Sequence, residues 1–266
     1  MTSFRNLHQP GAPFILANAW DVGSARMLVA LGAQAIATSS AGYAFTRGLP
    51  DGGRVGRDEA IAHAVDLAAH VPVPVSADLE DGFGPLPADC AETVRRTVAA
   101  GLAGCCIEDV AGDGTPYDFN LSVERMQAAA EAAPRDFMFC ARADGVMHGA
   151  YDLKEAIRRL QAFEAVGVDV LYCPMPGEMA DLRAITAAVT APVNALAAGP
   201  WTKVTQAEFA EAGVARISLG SALARATHQV IRDAGRSMFG VGDFSNLGGI
   251  GSGEVDGYLA AGGKAK

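Results

Sequence analysis

Positive charge is scarce in this chain. It holds 21 Lys and Arg against 30 Asp and Glu, a formal net charge of −9, and no basic run or basic helix face interrupts that balance. Binding a nucleic-acid backbone needs clustered Lys and Arg, so the composition argues against nucleic acid, and against an anionic membrane surface, as partner. Cysteine is sparse as well. There are 5, at positions 90, 105, 106, 140 and 173, irregularly spaced and without a CxxC pair. That weighs against a disulfide framework or a zinc site and points to a reducing compartment. No apolar stretch reaches membrane-spanning length free of charge, Gly or Pro, and Met1 to Pro10 lacks the basic and apolar regions of a signal peptide. The expectation is a cytoplasmic protein. A Gly-rich nucleotide loop is also missing after the first strand-like run, where Asn18-Ala19-Trp20-Asp21-Val22-Gly23 stands. This counts against a doubly wound open sheet.

What is present is apolar material in alternation. The chain has 266 residues, 50% hydrophobic, which suits one large α/β domain. Short apolar runs begin at Phe14, Ala35, Val73, Gly104, Phe137, Val170, Pro192 and Arg216, each followed by a longer helix-like segment. Eight such units predict a single (β/α)8 TIM-type barrel over 1–240. The runs are apolar throughout, as expected for parallel strands covered by helices. Gly32, Gly101 and Gly167 each stand where a helix would end in a left-handed cap. From 241 to 266 the chain reads as a Gly-rich tail, with Gly248 to Gly253 unable to pack a core and Gly262 to Lys266 frayed.

In a barrel the chemistry gathers at the C-terminal ends of the strands. Here those ends carry Thr38-Ser39-Ser40-Ala41, Asp78-Leu79-Glu80-Asp81, Glu108-Asp109 and Arg142-Ala143-Asp144. Carboxylates converging in an apolar mouth need a cation, and hard oxygen ligands without His suggest Mg2+ or Mn2+. Arg142 suits a bidentate clamp on a substrate carboxylate. The Ser39 to Gly42 loop offers backbone N–H groups to an anion. Plainer roles stand beside these. Asp81 and Asp109 can cap the segments that follow, and Asp144 can support a neighbour rather than bind a metal. His148 reads as an exposed loop residue, Cys140 and Cys173 as small core residues, and Arg158-Arg159 as a solvated face. Gly220-Ser221 opens the last helix, a weak phosphate-site signal.

Taken in order, Ser39 to Gly42, Gly48 to Gly52, Asp78 to Gly84, Ile107 to Asp109 and Ala141 to Asp144 resemble the isocitrate lyase / phosphoenolpyruvate mutase superfamily, over about Phe14 to Ala234. The resemblance implies a barrel in which Mg2+ binds the carboxylate and 2-oxo group of pyruvate-like substrates. It implies Asp51, Asp78, Glu80 and Glu108 as the metal environment, some acting through water. Ser39, Ser40 and Ala41 would contact the substrate, and Arg142 would hold a substrate anion. A homodimer or homotetramer is implied as well, often with the last helix exchanged between subunits.

Two departures shape the functional expectation. The family's Asp-x-Asp pair is Asp78-Leu79-Glu80 here, one carbon–carbon bond (about 1.5 Å) longer at its second member. The Lys-Lys/Arg-Cys-Gly-His segment of the isocitrate and methylisocitrate lyases is replaced by Val110 to Asp118, which has no Cys, Lys or His. The Lys- and Asn-bearing loop of the mutase and of phosphonopyruvate hydrolase is missing too. The expected activity is therefore a Mg2+-dependent lyase or decarboxylase on a small 2-oxo or 2-hydroxy diacid, passing through an enolate. Alternatives are P–C chemistry on a phosphonopyruvate-like substrate, and a catalytically inactive 2-oxo acid binding protein.

Overall fold

The computed structural model describes residues 3–264. Eight parallel strands close in sequence order into one barrel. They are β1 (Phe14–Ala19), β2 (Ile36–Thr38), β3 (Val75–Asp78), β4 (Gly104–Glu108), β5 (Met138–Arg142), β6 (Val170–Tyr172), β7 (Val193–Leu196) and β8 (Arg216–Ser218). Around them lie α1 (Val22–Ala30), α2 (Ser40–Thr46), α3 (Arg57–His70), α4 (Pro87–Ala99), α5 (Phe119–Ala132), α6 (Leu153–Ala165), α7 (Met179–Ala188), α8 (Gln206–Glu211), α9 (Ala222–Val241) and α10 (Ser252–Ala261). The (β/α)8 expectation holds.

Local chemistry sets the element ends. Asp21, Asp152 and Thr205 each accept a backbone N–H from the first turn of the helix they precede. Gly32, Gly101 and Gly167 take the left-handed conformation after α1, α4 and α6, as their spacing foretold. The main core lies between strands and helices, with Leu67, Phe139, Phe163 and Phe209 at or near zero exposure. A second cluster fills the barrel itself, with Leu16, Ala37, Met138, Cys140 and Tyr172 facing inward. Its floor is closed by the segment before β1. Phe4 and His8 pack edge-on against each other and Phe14, and Arg5 binds the carbonyls of Arg135 and Phe137 just ahead of β5.

Three sequence expectations need correction. The loop expected after β2 begins as α2, seven residues containing a Gly and no charge, capped by the Ser39 hydroxyl on the Gly42 N–H. The last barrel helix runs to Val241 rather than ending near Ala234. Beyond it the chain folds again into α10, which packs on α1. Gly262 lies so close to Arg26 that a Cβ there would fall 1.8 Å from its carbonyl oxygen. Tertiary contact has overridden the poor helix propensity of this Gly-rich stretch, so Gly262 and Gly263 are docked, while Ala265 and Lys266 lie outside the described residues.

Candidate active site

The strand register delivers Asp78, Glu108 and Arg142 to the same mouth, since Asp78 pairs with Cys106 and Glu108 with Arg142 across neighbouring strands. They line a cavity of about 430 Å³ together with Ser39, Ser40, Ala41, Asp51 and Glu80. The metal and substrate candidates of the sequence therefore reach one space, while Asp109 and Asp144 are buried outside its lining.

Asp78 is held from three sides. Its Oδ2 accepts both the backbone N–H and the hydroxyl of Ser40 at 2.9 Å, and its Oδ1 faces Arg142 Nη1 at 3.3 Å and the Cys106 thiol at 3.4 Å. The Ser40 amide, expected to serve a substrate anion, thus serves Asp78 at the start of α2. Glu80 sits at φ 46°, a conformation that non-glycine residues seldom adopt. Its Oε2 takes the N–H of Gly53 at 2.8 Å, tying the strand end to the loop bearing Asp51.

Arg142 is already engaged. Its Nε lies 3.0 Å from Asp144 Oδ1, its Nη2 binds Asp144 Oδ2, and its Nη1 is 2.9 Å from Glu108. Asp144 is fully buried, and its backbone N–H donates to Asp109 Oδ1 at 2.8 Å. Asp109 Oδ2 in turn accepts from Tyr151 at 2.7 Å and Arg159 at 2.9 Å. The helix-cap reading of Asp109 is set aside: it is the hub of a buried ion-pair network. Arg159 belongs to that network and is only 5% exposed, so the solvated-face reading holds for Arg158 alone. The capping reading of Asp81 holds, for the turn that follows it rather than for a helix. It accepts the Phe83 N–H and the Tyr117 hydroxyl, and Arg125 grips the backbone carbonyls of Asp81 and Gly84 from below. The N–H groups of Leu219 and Gly220 both point to Asn18 Oδ1, which leaves the start of α9 without free amides at those two positions.

The acidic residues strain one another. Burial, then the charges of Asp78, Asp51 and Asp81, push Glu80 up to about 7 against the pull of the Gly53 N–H. Asp51 is raised by desolvation and by Asp78, and burial raises Glu108 well above the usual carboxylate range despite Arg142. Such a set favours a cation in its midst. Among the described residues, however, no three acidic, His or Cys side chains converge closely enough to form a closed protein cage for one ion. The donor set fits a hard ion that takes one or two direct carboxylates and completes its shell with water and substrate oxygens, as Mg2+ does.

Sequence reading missed Arg125 and the polar residues on the inner wall, among them Asn18, Asn194 and Arg216. Arg125 sits mid-helix on α5, while Asn18, Asn194 and Arg216 lie in short, mostly apolar strands where only their inward parity marks them. Among the described residues no helix is long and apolar enough to cross a membrane.

The profile of the phosphoenolpyruvate phosphomutase family matches residues 4–239. Among solved structures, a candidate lyase/mutase from Burkholderia cenocepacia is 40% identical with a TM-score of 0.91, covering 97% of this chain and 94% of its own. An uncharacterized Mycobacterium tuberculosis protein is 36% identical over 82% of both chains. The 2-methylisocitrate lyase of Escherichia coli is 30% identical over 71% of this chain and 70% of its own. The oxaloacetate decarboxylase of Rhodopseudomonas palustris is 32% identical over 60% of this chain and 54% of its own.

Proposed function

The chain belongs to the phosphoenolpyruvate phosphomutase family of the isocitrate lyase superfamily, and on that premise we propose that it is a Mg2+-dependent carbon–carbon lyase, in the simplest case a decarboxylase, acting on a small 2-oxo or 2-hydroxy diacid. The observation that carries this reading is the cluster of Asp51, Asp78, Glu80 and Glu108 around one cavity, where the guanidinium that touches Asp78 and Glu108, that of Arg142, is already engaged by Asp144 on two nitrogens. Asp78 is the foremost direct ligand, because its carboxylate is oriented by Ser40, with Glu80, Glu108 and Asp51 acting partly through water. When bound, the ion supplies Lewis-acid polarisation of the 2-oxo group and a sink for the electrons of the breaking bond.

The chain's own residues do the rest. Arg142 Nη1 places positive charge beside the reacting end of the substrate, and Asp144 fixes the plane of that guanidinium. Ser39, Ser40 and Ala41 shape the wall that the carboxylate meets. Glu80 holds the Gly53 loop across the rim and so limits the entry of water. Breaking a carbon–carboxylate bond needs no general acid, which suits a segment after β4 without Cys, Lys or His. Phosphonopyruvate chemistry draws less support, since the Lys- and Asn-bearing loop of the mutase and of phosphonopyruvate hydrolase is missing here.

Turnover of a panel of 2-oxo diacids, with and without Mg2+, tests the reading. Metal-dependent turnover that Asp78→Ala abolishes is expected; tight binding without turnover would favour a sensor. The protein is a homo-oligomer in this reading, through the exposed apolar side chains Val230, Ile231, Phe239, Val241, Phe244 and Leu247 on and after α9. Phe239→Asp lowers the assembled mass in light scattering.

A further inference from the structure

Arg216 opens β8, faces into the barrel at 3% exposure, and forms part of the cavity wall. Its partners are Asn194 Oδ1 at 2.8 Å, His8 Nε2 at 3.3 Å and Cys140 Sγ at 3.0 Å. None of them is anionic. Asn194 is an amide, fixed by its own donation to Ser218 Oγ. His8 donates from Nδ1 to the Phe4 carbonyl, so its Nε2 is the bare acceptor, and burial followed by the charge of Arg216 pushes its pKa down to about 3. Burial also raises the Cys140 thiol, which therefore stays protonated. Of the five N–H groups of a guanidinium, these contacts occupy three, leaving hydrogens on both Nη atoms free.

The contrast with the other buried arginines is sharp. Arg142 is matched by Asp144 and Glu108, Arg159 by Asp109 and Glu155, and Arg125 by two backbone carbonyls. A buried cation without a counter-ion is strongly destabilising, and the inward neighbours of Arg216 are neutral, Asn194, Ser218 and Cys140 beside the apolar side chains that fill the barrel. A hydrophobic residue would satisfy the fold at this point. The charge has a use only if an anion comes to it.

We infer that Arg216, with Asn194 and Ser218, receives the second carboxylate of the substrate on the barrel floor. This rests on the reading above, in which the mouth takes the 2-oxo carboxylate end. Arg216 contacts Cys140, two residues before Arg142 on β5, so floor and mouth are one inward step apart, about 6–7 Å along the strand. That is the length scale of a four- or five-carbon chain. The site therefore selects diacids of this size, held upright in the barrel.

Calorimetry on the Mg2+-loaded protein separates the two ends. 2-Oxoglutarate should bind at least tenfold more tightly than 2-oxobutyrate, which lacks the distal carboxylate, and R216M should erase that preference while oxalate, too short to reach the floor, binds as in wild type. R216K, which keeps the charge without the fork, should recover part of the preference and guards against a folding defect. A diacid preference that survives in R216M, or its absence in wild type, would overturn the inference; so would an equal loss of oxalate and diacid, which would make Arg216 a structural residue. Propionate in metal-free buffer reads the floor alone. It should raise the melting temperature of wild type and not of R216M, and failure to do so also counts against the floor site. Failure of oxalate to bind wild type with Mg2+ would instead sink the reading of the mouth.

Discussion

Arg142 and Asp144 are two residues apart at the end of β5, and the guanidinium commits Nε and Nη2 to both oxygens of that one carboxylate. Only Nη1 remains to face Asp78 and Glu108, so the pair sets which edge of the arginine a substrate can meet. Asp144 is itself anchored through its backbone to Asp109, and Asp109 to Arg159 on α6. The orientation of the Arg142 guanidinium in the barrel mouth is thus tied to the outer helical layer.

Asp144→Asn should keep the fold and lower kcat at least tenfold with a smaller change in KM, because the guanidinium loses its fixed plane rather than its charge. Arg159→Ala breaks a buried pair and should destabilise the protein by about 3–5 kcal/mol in urea unfolding. Unchanged kcat in Asp144→Asn would separate Arg142 from the reaction.

Asp78→Ala should abolish Mg2+-dependent activity, since it removes the charged oxygen that Ser40 orients and no neutral neighbour replaces it. Glu80→Asp should do less harm. It keeps the charge and eases the backbone, yet it shortens the arm that reaches Gly53 by about 1.5 Å. Equal Mg2+ binding by wild type and Asp78→Ala, measured calorimetrically with a 2-oxo acid present, would refute the assignment.

Isocitrate and methylisocitrate should be cleaved at trace levels only. The residues available after β4 are Asp113, Thr115, Tyr117 and Asp118. The Tyr117 hydroxyl already donates to Asp81 at 2.6 Å, and burial followed by that bond raises its pKa further above the ordinary tyrosine range. It is not a ready proton donor. His148, exposed at the rim, is the remaining candidate. Assay of glyoxylate and pyruvate release decides the matter, and robust turnover would assign the proton to His148 or to an unrecognised group.

Stability should fall in acid through His8. Its pKa drops from 6.5 to about 3 on folding, chiefly by burial and then by Arg216. Between those values the unfolded chain holds a proton that the folded one does not, so stability is lost as pH decreases from 6.5. The slope approaches 1.4 kcal/mol per pH unit at most. Between pH 7 and pH 5, wild type should lose about 2 kcal/mol more than His8→Gln in urea unfolding. Parallel losses in the two proteins would mean that His8 does not remain neutral.

The sequence was most legible where an apolar run ends in charge. Asp78, Glu108 and Arg142 close such runs, and strand parity brings all three into one mouth. It was least legible where a polar residue interrupts a run. Arg216 and Asn194 look like noise in short strands until closure of the barrel shows them side by side. Arg159 was obscured by its neighbour Arg158, because adjacent residues on a helix face different ways and the partner Asp109 lies on another strand end. The α2 and α10 helices were hidden by glycine and by the lack of a polar cap at α10. The Ser39 cap starts α2 locally, whereas α10 forms against α1, a contact that no local pattern records.

The left-handed backbone at Glu80 bears on how such a site can change over generations. Gly, Asn and Asp adopt that conformation most readily, so the mutational steps that relax residue 80 lead toward shorter side chains. Every one of them gives up reach toward Gly53, and Asn and Gly also remove a negative charge from the acidic cluster. A lineage cannot ease the backbone here without loosening the rim, and the longer carboxylate is a compromise between two demands that pull the position in opposite directions.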